Sequence, residues 1–481
     1  MSELDNRQTA SPESRGRRIV LLLDGTWNED QVGGNSTNIV RLRDIIAASL
    51  DPLDLLPSRP TGAAVAGRAE TYARTFRGRE YLIFYQRGVG TGPFDRATGG
   101  AFGEGLDANV RRAYRFLSFY YESGDEIFIF GFSRGAYTAR SLTGYLGAIG
   151  LLRCETCDTA REQLAWSFYR TPPNDRLPGT WKQLEPSVHP REAFRVSCVG
   201  LFDTVGALGV PLQGLWRLNR KNFEFHDVEL SPLVSVALHA LAIDEHRRPF
   251  EASVLRRNKL RRTTARVEQV WFPGSHGDVG GGWLTDSQRD KAAARALDDL
   301  TLDWMIRRLL AHFPDFPISN DVWINVGEQE SLGPLHGSRT GVYKLFLNAI
   351  RSIGNQPLPK KLLGGTDVSV GYDPQAVLER ESVHIFAIKR VGTVAPTDRA
   401  TALYAPANLV SCLPNLAHLY SDQGPKVASA ETLTVTAMDG NAVEPHTEAA
   451  REVCSEILEA ARRLAAANPS ILERIPWRVP Q

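Results

Sequence analysis

The sequence predicts an α/β protein built on a doubly wound, mostly parallel sheet. Three observations predict it. Short apolar runs alternate with helix-patterned stretches, the order that makes parallel strands joined by crossover helices. The runs are apolar throughout, as in Arg18-Ile-Val-Leu-Leu-Leu23, which suits strands covered on both faces. Asp24, Ser133, Asp203 and His276 each stand just past the end of such a run, where ligands gather in open α/β sheets.

Taken in order, residues 1–16 are polar and read as a disordered leader. The first strand is Arg18–Leu23, closed by the turn Asp24-Gly-Thr-Trp-Asn28. Leu50 to Arg79 is rich in Pro, Gly, Ala and Arg without a pattern, and a loop excursion is expected there. Tyr81–Tyr85 reads as the second strand, followed by glycine-dense loop from Gly88 to Gly105. Leu106 to Tyr121 carries helical spacing in Val110, Ala113, Tyr114, Leu117, Tyr120 and Tyr121. The third strand, Glu126–Phe130, runs straight into Gly131-Phe-Ser-Arg-Gly135 and a helix to about Leu146. Phe194–Phe202 is the fourth and ends at Asp203; a helix is expected near Pro232–Ile243. Val267–Phe272 is the fifth and ends at Pro273-Gly-Ser-His276. Beyond about residue 313 the pattern weakens, with Val383–Ile388 the clearest strand and Glu448–Ala467 a final Ala-rich helix. The expected organisation is therefore a leader at 1–16, a main α/β domain with helical insertions at 17–312, and a C-terminal extension at 313–481, either a cap on the sheet or a smaller second domain.

Composition narrows the function. Of 481 residues, 42% are hydrophobic and 23% charged, the balance of a folded globular chain. Lys and Arg number 56 against 55 Asp and Glu, a net charge of +1, which excludes the basic excess typical of a nucleic-acid binder. No run reaches the length of a membrane span, and the N-terminus lacks the apolar core of a secretory signal. The chain is expected to be cytoplasmic as synthesised and, if exported, to leave by a signal-independent route. The five cysteines include a lone Cys154-x-x-Cys157 with no second ligand pair, so two ordinary thiols are expected rather than zinc.

Gly131-Phe-Ser-Arg-Gly135 fits G-x-S-x-G in the context its chemistry needs, a strand before and a helix after. The serine sits on a sharp turn, the flanking glycines let neighbouring backbone approach, and the helix N-terminus favours developing negative charge. Ser133 is thus the candidate nucleophile, with the Arg134 N–H as one oxyanion donor. His276, in the loop Gly274-Ser-His-Gly-Asp-Val-Gly-Gly-Gly282, is the candidate base. Asp203 is the first choice of acid on chain order and strand-end placement, and Asp278 the second. The turn at Asp24 resembles half of the phosphotransfer motif D-x-D-G-T, but Leu22 stands where the nucleophilic aspartate is needed. Gly25 or Thr26 in that turn is instead expected to supply the second oxyanion N–H. The glycines at 88–92 and 99–105 match neither a P-loop nor a dinucleotide loop.

Five blocks stand in the order of one family: Asp24–Asn28, Gly88–Thr91, Gly131–Arg140, Phe202–Gly206 and Gly274–Gly281. Over about residues 17 to 290 the chain resembles the DUF2235 α/β-hydrolases, the catalytic domain of Tle1-type phospholipase effectors of the bacterial type VI secretion system. The resemblance implies an α/β-hydrolase-like fold, a Ser133-Asp203-His276 triad and hydrolysis of glycerophospholipid esters; no organic cofactor is expected, and no ligand loop of standard spacing marks a calcium or other metal site. It also implies transient contact with a membrane surface and a secretion-apparatus or immunity partner. Two alternatives stand beside the phospholipase: an esterase on a soluble substrate, and a non-catalytic interaction scaffold with a hydrolase fold.

Overall fold

Every residue of the first strand, β1 (Arg18–Leu23), is buried. Ile19, Leu21 and Leu23 enter one apolar cluster and Val20 and Leu22 another, the two-residue alternation of a strand with helices on both sides. Each such side chain contributes about 1.5–3 kcal/mol by leaving water. The structure, a computed structural model, describes residues 16–25, 35–52, 69–88, 101–205, 230–256, 264–285, 296–319, 333–339, 343–344, 347–365, 367–373, 379–398, 400–429 and 432–475. Residues 1–15 of the expected leader, the turn residues 26–28 and most of the glycine-dense stretch after Gly88 lie outside them.

Nine more strands join β1 in one sheet: β2 (Asp51–Pro52), β3 (Ala69–Phe76), β4 (Arg79–Gln86), β5 (Glu126–Phe132), β6 (Val196–Phe202), β7 (Val234–Ala242), β8 (Arg266–Phe272), β9 (Glu381–His384) and β10 (Thr434–Thr436). Their spatial order is β10-β9-β8-β7-β6-β5-β1-β4-β3-β2. The strands from β10 to β4 run parallel, and β3 and β2 turn antiparallel at the edge. From β1 the chain passes to β4 and then returns across β1 to β5. In open α/β sheets such a reversal of winding is where ligands gather, beyond the carboxyl ends of the strands.

The helices used below are α1 (Asn38–Ser49), α2 (Ala101–Tyr120), α3 (Arg134–Ile149), α4 (Thr159–Arg170), the single-turn α5 (His276–Gly280), α6 (Leu297–His312), α7 (Ala407–Tyr420) and α8 (Glu448–Ala467). Leu42 of α1, Met305 of α6, Leu409 of α7 and Ile457 of α8 pack in the cluster that holds Val20. Leu117 of α2, Leu142 of α3 and Trp166 of α4 pack in the one that holds Ile19. The Thr37 side chain accepts from Val40 N–H to cap α1, and Thr447 caps α8 through Ala450 N–H.

Three expectations are corrected. The stretch Pro232–Ile243, expected as a helix, is strand β7, paired parallel to β6 and β8. An Ala/Leu run has no decisive period, and ladders on both edges outweigh its helix propensity. Within the supposed loop Leu50–Arg79, residues Ala69–Phe76 form β3, hairpinned to β4 through Arg77 and Gly78, whose φ values are 49° and 76°. The strand expected over Val383–Ile388 stops at His384, whose ring accepts from Phe386 N–H and starts a short helix, Ile385–Arg390.

Residues beyond 313 extend the main sheet: β9 pairs with β8 and β10 with β9. Val383, Val435 and Ile457 share one apolar cluster with Leu238 of β7 and Trp271 of β8. No described helix is long and apolar enough to cross a membrane.

Candidate active site

Ser133 follows β5 directly and opens α3 with φ 58° and ψ −120°, a conformation costing a non-glycine residue about 1–3 kcal/mol. The surroundings hold it there. Ser133 N–H donates to the Phe202 carbonyl at 3.0 Å. The flanking glycines are required by close approach: a Cβ on Gly131 would lie 2.6 Å from the Gly135 carbonyl oxygen, and one on Gly135 only 2.0 Å from that of Leu23. The serine side chain makes no capping bond to α3.

His276 begins α5, three residues after β8 passes into Pro273. A capping box fixes that start: Ser275 caps the helix and the Asp278 carboxylate accepts from Ser275 N–H at 2.9 Å. The imidazole lies 4.7 Å from the ring of Phe132, the residue before Ser133, and meets Phe250 edge-on at 5.2 Å. Its Nδ1 is 2.6 Å from Oδ2 of Asp203. A carboxylate only accepts, so Nδ1 carries the hydrogen and Nε2 is left as the basic nitrogen.

Asp203 ends β6 and is fully buried. Its Oδ1 accepts from Ala242 N–H at 3.0 Å and from Arg351 at 2.7 Å, and its Oδ2 from Arg351 at 3.1 Å. Burial alone would raise this carboxyl; the Arg351 charge and the His276 bond outweigh it and hold it well below the usual carboxylate range. Burial lowers His276 from its ordinary value, and the Asp203 partner only partly offsets that. The imidazole is therefore neutral at neutral pH.

The other expected residues fall as follows. Asp278 is engaged elsewhere, with Oδ1 2.6 Å from Nδ1 of His336, so Asp203 and not Asp278 meets His276. Gly25 does stand beside the serine, since a Cβ on it would be 3.3 Å from Ser133 Cβ. Its N–H, however, donates to its neighbour Asp24 Oδ1 at 2.7 Å. Asp24 also accepts from Thr37 and Tyr85 hydroxyls at 2.9 and 3.0 Å, and burial pushes it up to about 6. Thr26 lies outside the described residues. Arg134 is the first residue of α3, its guanidinium lowered to about 10 by burial. Asp244, two residues past β7, accepts from Gly274 N–H and Tyr404 hydroxyl at 2.8 and 2.9 Å, while Arg247 pairs with Glu245 at 2.8 Å.

Sequence reasoning missed Arg351 and Glu245, the latter accepting from His276 N–H at 3.3 Å. Nothing local marks Arg351, which lies 148 residues from Asp203. Glu245 does carry a signal, standing three residues beyond the apolar end of β7. Among the described residues no cluster of three or more His, Cys, Asp or Glu side chains forms a metal site.

The chain is 26% identical over 267 residues to the protein YEL023C of Saccharomyces cerevisiae, an alignment covering 50% of this chain and 33% of the yeast protein. A solved but uncharacterized protein from Pseudomonas aeruginosa matches at 17% identity and a TM-score of 0.35, over 66% of this chain and 48% of that one. The Tle1 effector bound to the VgrG spike of the type VI secretion system matches at 16% and 0.30, over 59% and 56%. The chain thus spans a third of the yeast relative's length and about half that of the two solved chains. The model of the type VI secretion phospholipase effector family, Tle1-like, catalytic domain, matches residues 17–308, as the five motif blocks imply. On that match, over more than half of its length, the chain belongs to the Tle1-like phospholipase effector family.

Proposed function

We propose that the protein is a serine-dependent carboxylic-ester hydrolase that cleaves acyl chains from glycerophospholipids. The observation that carries this reading is the 2.6 Å contact between His276 Nδ1 and Asp203, made beside the strained elbow that presents Ser133. In the proposed reaction Ser133 Oγ attacks the acyl carbonyl and passes its proton to His276 Nε2. Asp203 keeps the ring oriented and stabilises the imidazolium. The Arg134 N–H, at the N-terminus of α3, donates to the oxyanion. His276 then returns the proton to the departing alcohol oxygen, leaving an acyl-serine that water hydrolyses by the same route. Membership in a family of phospholipase effectors supports a lipid substrate met by transient surface contact, and a partner in the secretion apparatus.

The test is release of fatty acid from mixed phospholipid vesicles and of p-nitrophenol from a short-chain ester, comparing the wild type with Ser133→Ala. Serine-dependent release from vesicles is the expected result. Turnover of the soluble ester alone would favour a general esterase, and identical behaviour of the two proteins on both substrates would favour the scaffold reading.

A further inference from the structure

Arg351 comes from Asn348–Arg351, a short strand paired with Asp367–Val370 and lying beyond the family match. Its side chain is 2% exposed and that of Asp203 0%. One guanidinium nitrogen donates to Asp203 Oδ1 at 2.7 Å and to the Ala242 carbonyl at 2.9 Å. The other donates to Asp203 Oδ2 at 3.1 Å and to the Phe250 carbonyl. The planar fork is therefore fixed on four acceptors, a geometry lysine cannot reproduce. Phe250 is also the residue whose ring meets His276 edge-on, so one cation ties down both the carboxylate and a wall of the imidazole pocket.

We propose that Arg351 is a positioning residue of this site: it holds Asp203 in the orientation that receives the His276 Nδ1 hydrogen and cancels its charge, so that His276 rests as a neutral base. The proposal rests on the Ser133-His276-Asp203 reading above. Its physical content is a charge balance. Glu245 and Arg247, which also face His276, neutralise each other. Asp278, two residues along α5 from His276, is paired with His336 at 2.6 Å. His239, behind Asp203, is fully buried and lowered to about 3, hence uncharged; Arg140, which faces His239, donates to the Ser253 carbonyl and hydroxyl. Arg351 is thus the cation in contact with Asp203. While it is present, protonating His276 adds a net charge to a buried site. Without it, protonating His276 would remove one. Deleting Arg351 must therefore make the imidazole easier to protonate.

The experiment is the pH dependence of kcat and kcat/KM on a soluble p-nitrophenyl ester, using the full chain and the variants Arg351→Met and Arg351→Lys, with near-UV circular dichroism to establish folding. For Arg351→Met the acid limb of kcat/KM should move up by about one pH unit or more, with kcat lowered about 10–100-fold and KM little changed. Arg351→Lys, which keeps charge and loses the fork, should hold the limb near its wild-type position while kcat still falls. A folded Arg351→Met with an unmoved acid limb overturns the proposal. So does failure of both variants to fold, which would make the residue purely structural. Activity that persists in Ser133→Ala would instead overturn the triad reading itself.

Discussion

Asp203→Asn is the substitution that the buried cluster should tolerate least, despite its near-identical shape. Four donors converge on the carboxylate: Ala242 N–H and one Arg351 nitrogen at Oδ1, the other Arg351 nitrogen and His276 Nδ1 at Oδ2. An amide has one accepting oxygen, so its NH2 group must face two of those donors. The change also strands a guanidinium that is 2% exposed. Removing one partner of such a buried pair costs about 3–5 kcal/mol. The assay is urea denaturation of the wild type, Asp203→Asn, Arg351→Met and the double variant, with kcat/KM measured alongside. The single amide variant should lose about 3–5 kcal/mol of stability and about 10⁴-fold in kcat/KM, the scale of an acid-to-amide change in a serine triad. In the double variant the stranded cation is gone, and at least about 2 kcal/mol should return, because ion pairs replaced by apolar groups are often near neutral. Activity should not return with it. A loss below about 1 kcal/mol in Asp203→Asn, or recovery of activity together with stability, would refute the reasoning.

Gly135→Ala should be unstable or inactive, because its Cβ would meet the Leu23 carbonyl oxygen at 2.0 Å and backbone cannot move aside cheaply; a cost at or above about 3 kcal/mol is expected from thermal melts. Since burial lowers His276 from its ordinary value, the acid limb of wild-type kcat/KM should lie below the ordinary imidazole range; an acid limb above that range would contradict the assigned base. Glu381 is buried, and its carboxylate accepts from Trp271 Nε1 and Gly354 N–H at the same oxygen. Burial raises it from 4.5 to about 7, so folding is favoured below pH 4.5 and this contribution is lost as pH rises through 7. Glu381→Gln keeps both bonds without the charge and should stabilise the protein by about 2–3 kcal/mol at pH 8 relative to its effect at pH 4; equal effects at both pH values would rule this out.

The legible parts of the sequence were those whose causes are local. β1 reads directly because six consecutive residues are buried, and the elbow because its glycine spacing lies within one strand–turn–helix unit, where Gly131 packs against Gly135 and Ala136. β7 misleads because Val-Ala-Leu-His-Ala-Leu-Ala is compatible with either period until neighbours on both sides are known. β9 and β10 are four and three residues long, too short to show any period. The Gly25 N–H was expected at an oxyanion site; its bond to the preceding Asp24 side chain is a local competition that a motif does not display. Arg351 is illegible for the opposite reason, since its meaning exists only once residues 203 and 351 are folded together.

The family match ends at residue 308, yet the sheet does not. Cut there, the chain would present Gln269, Val270 and Trp271 of β8 as a bare edge, since these are the residues that β9 covers. It would also leave Asp203 buried with no counter-charge from Arg351. The family match is therefore shorter than the sheet, and Arg351, whose guanidinium meets Asp203, stands outside it.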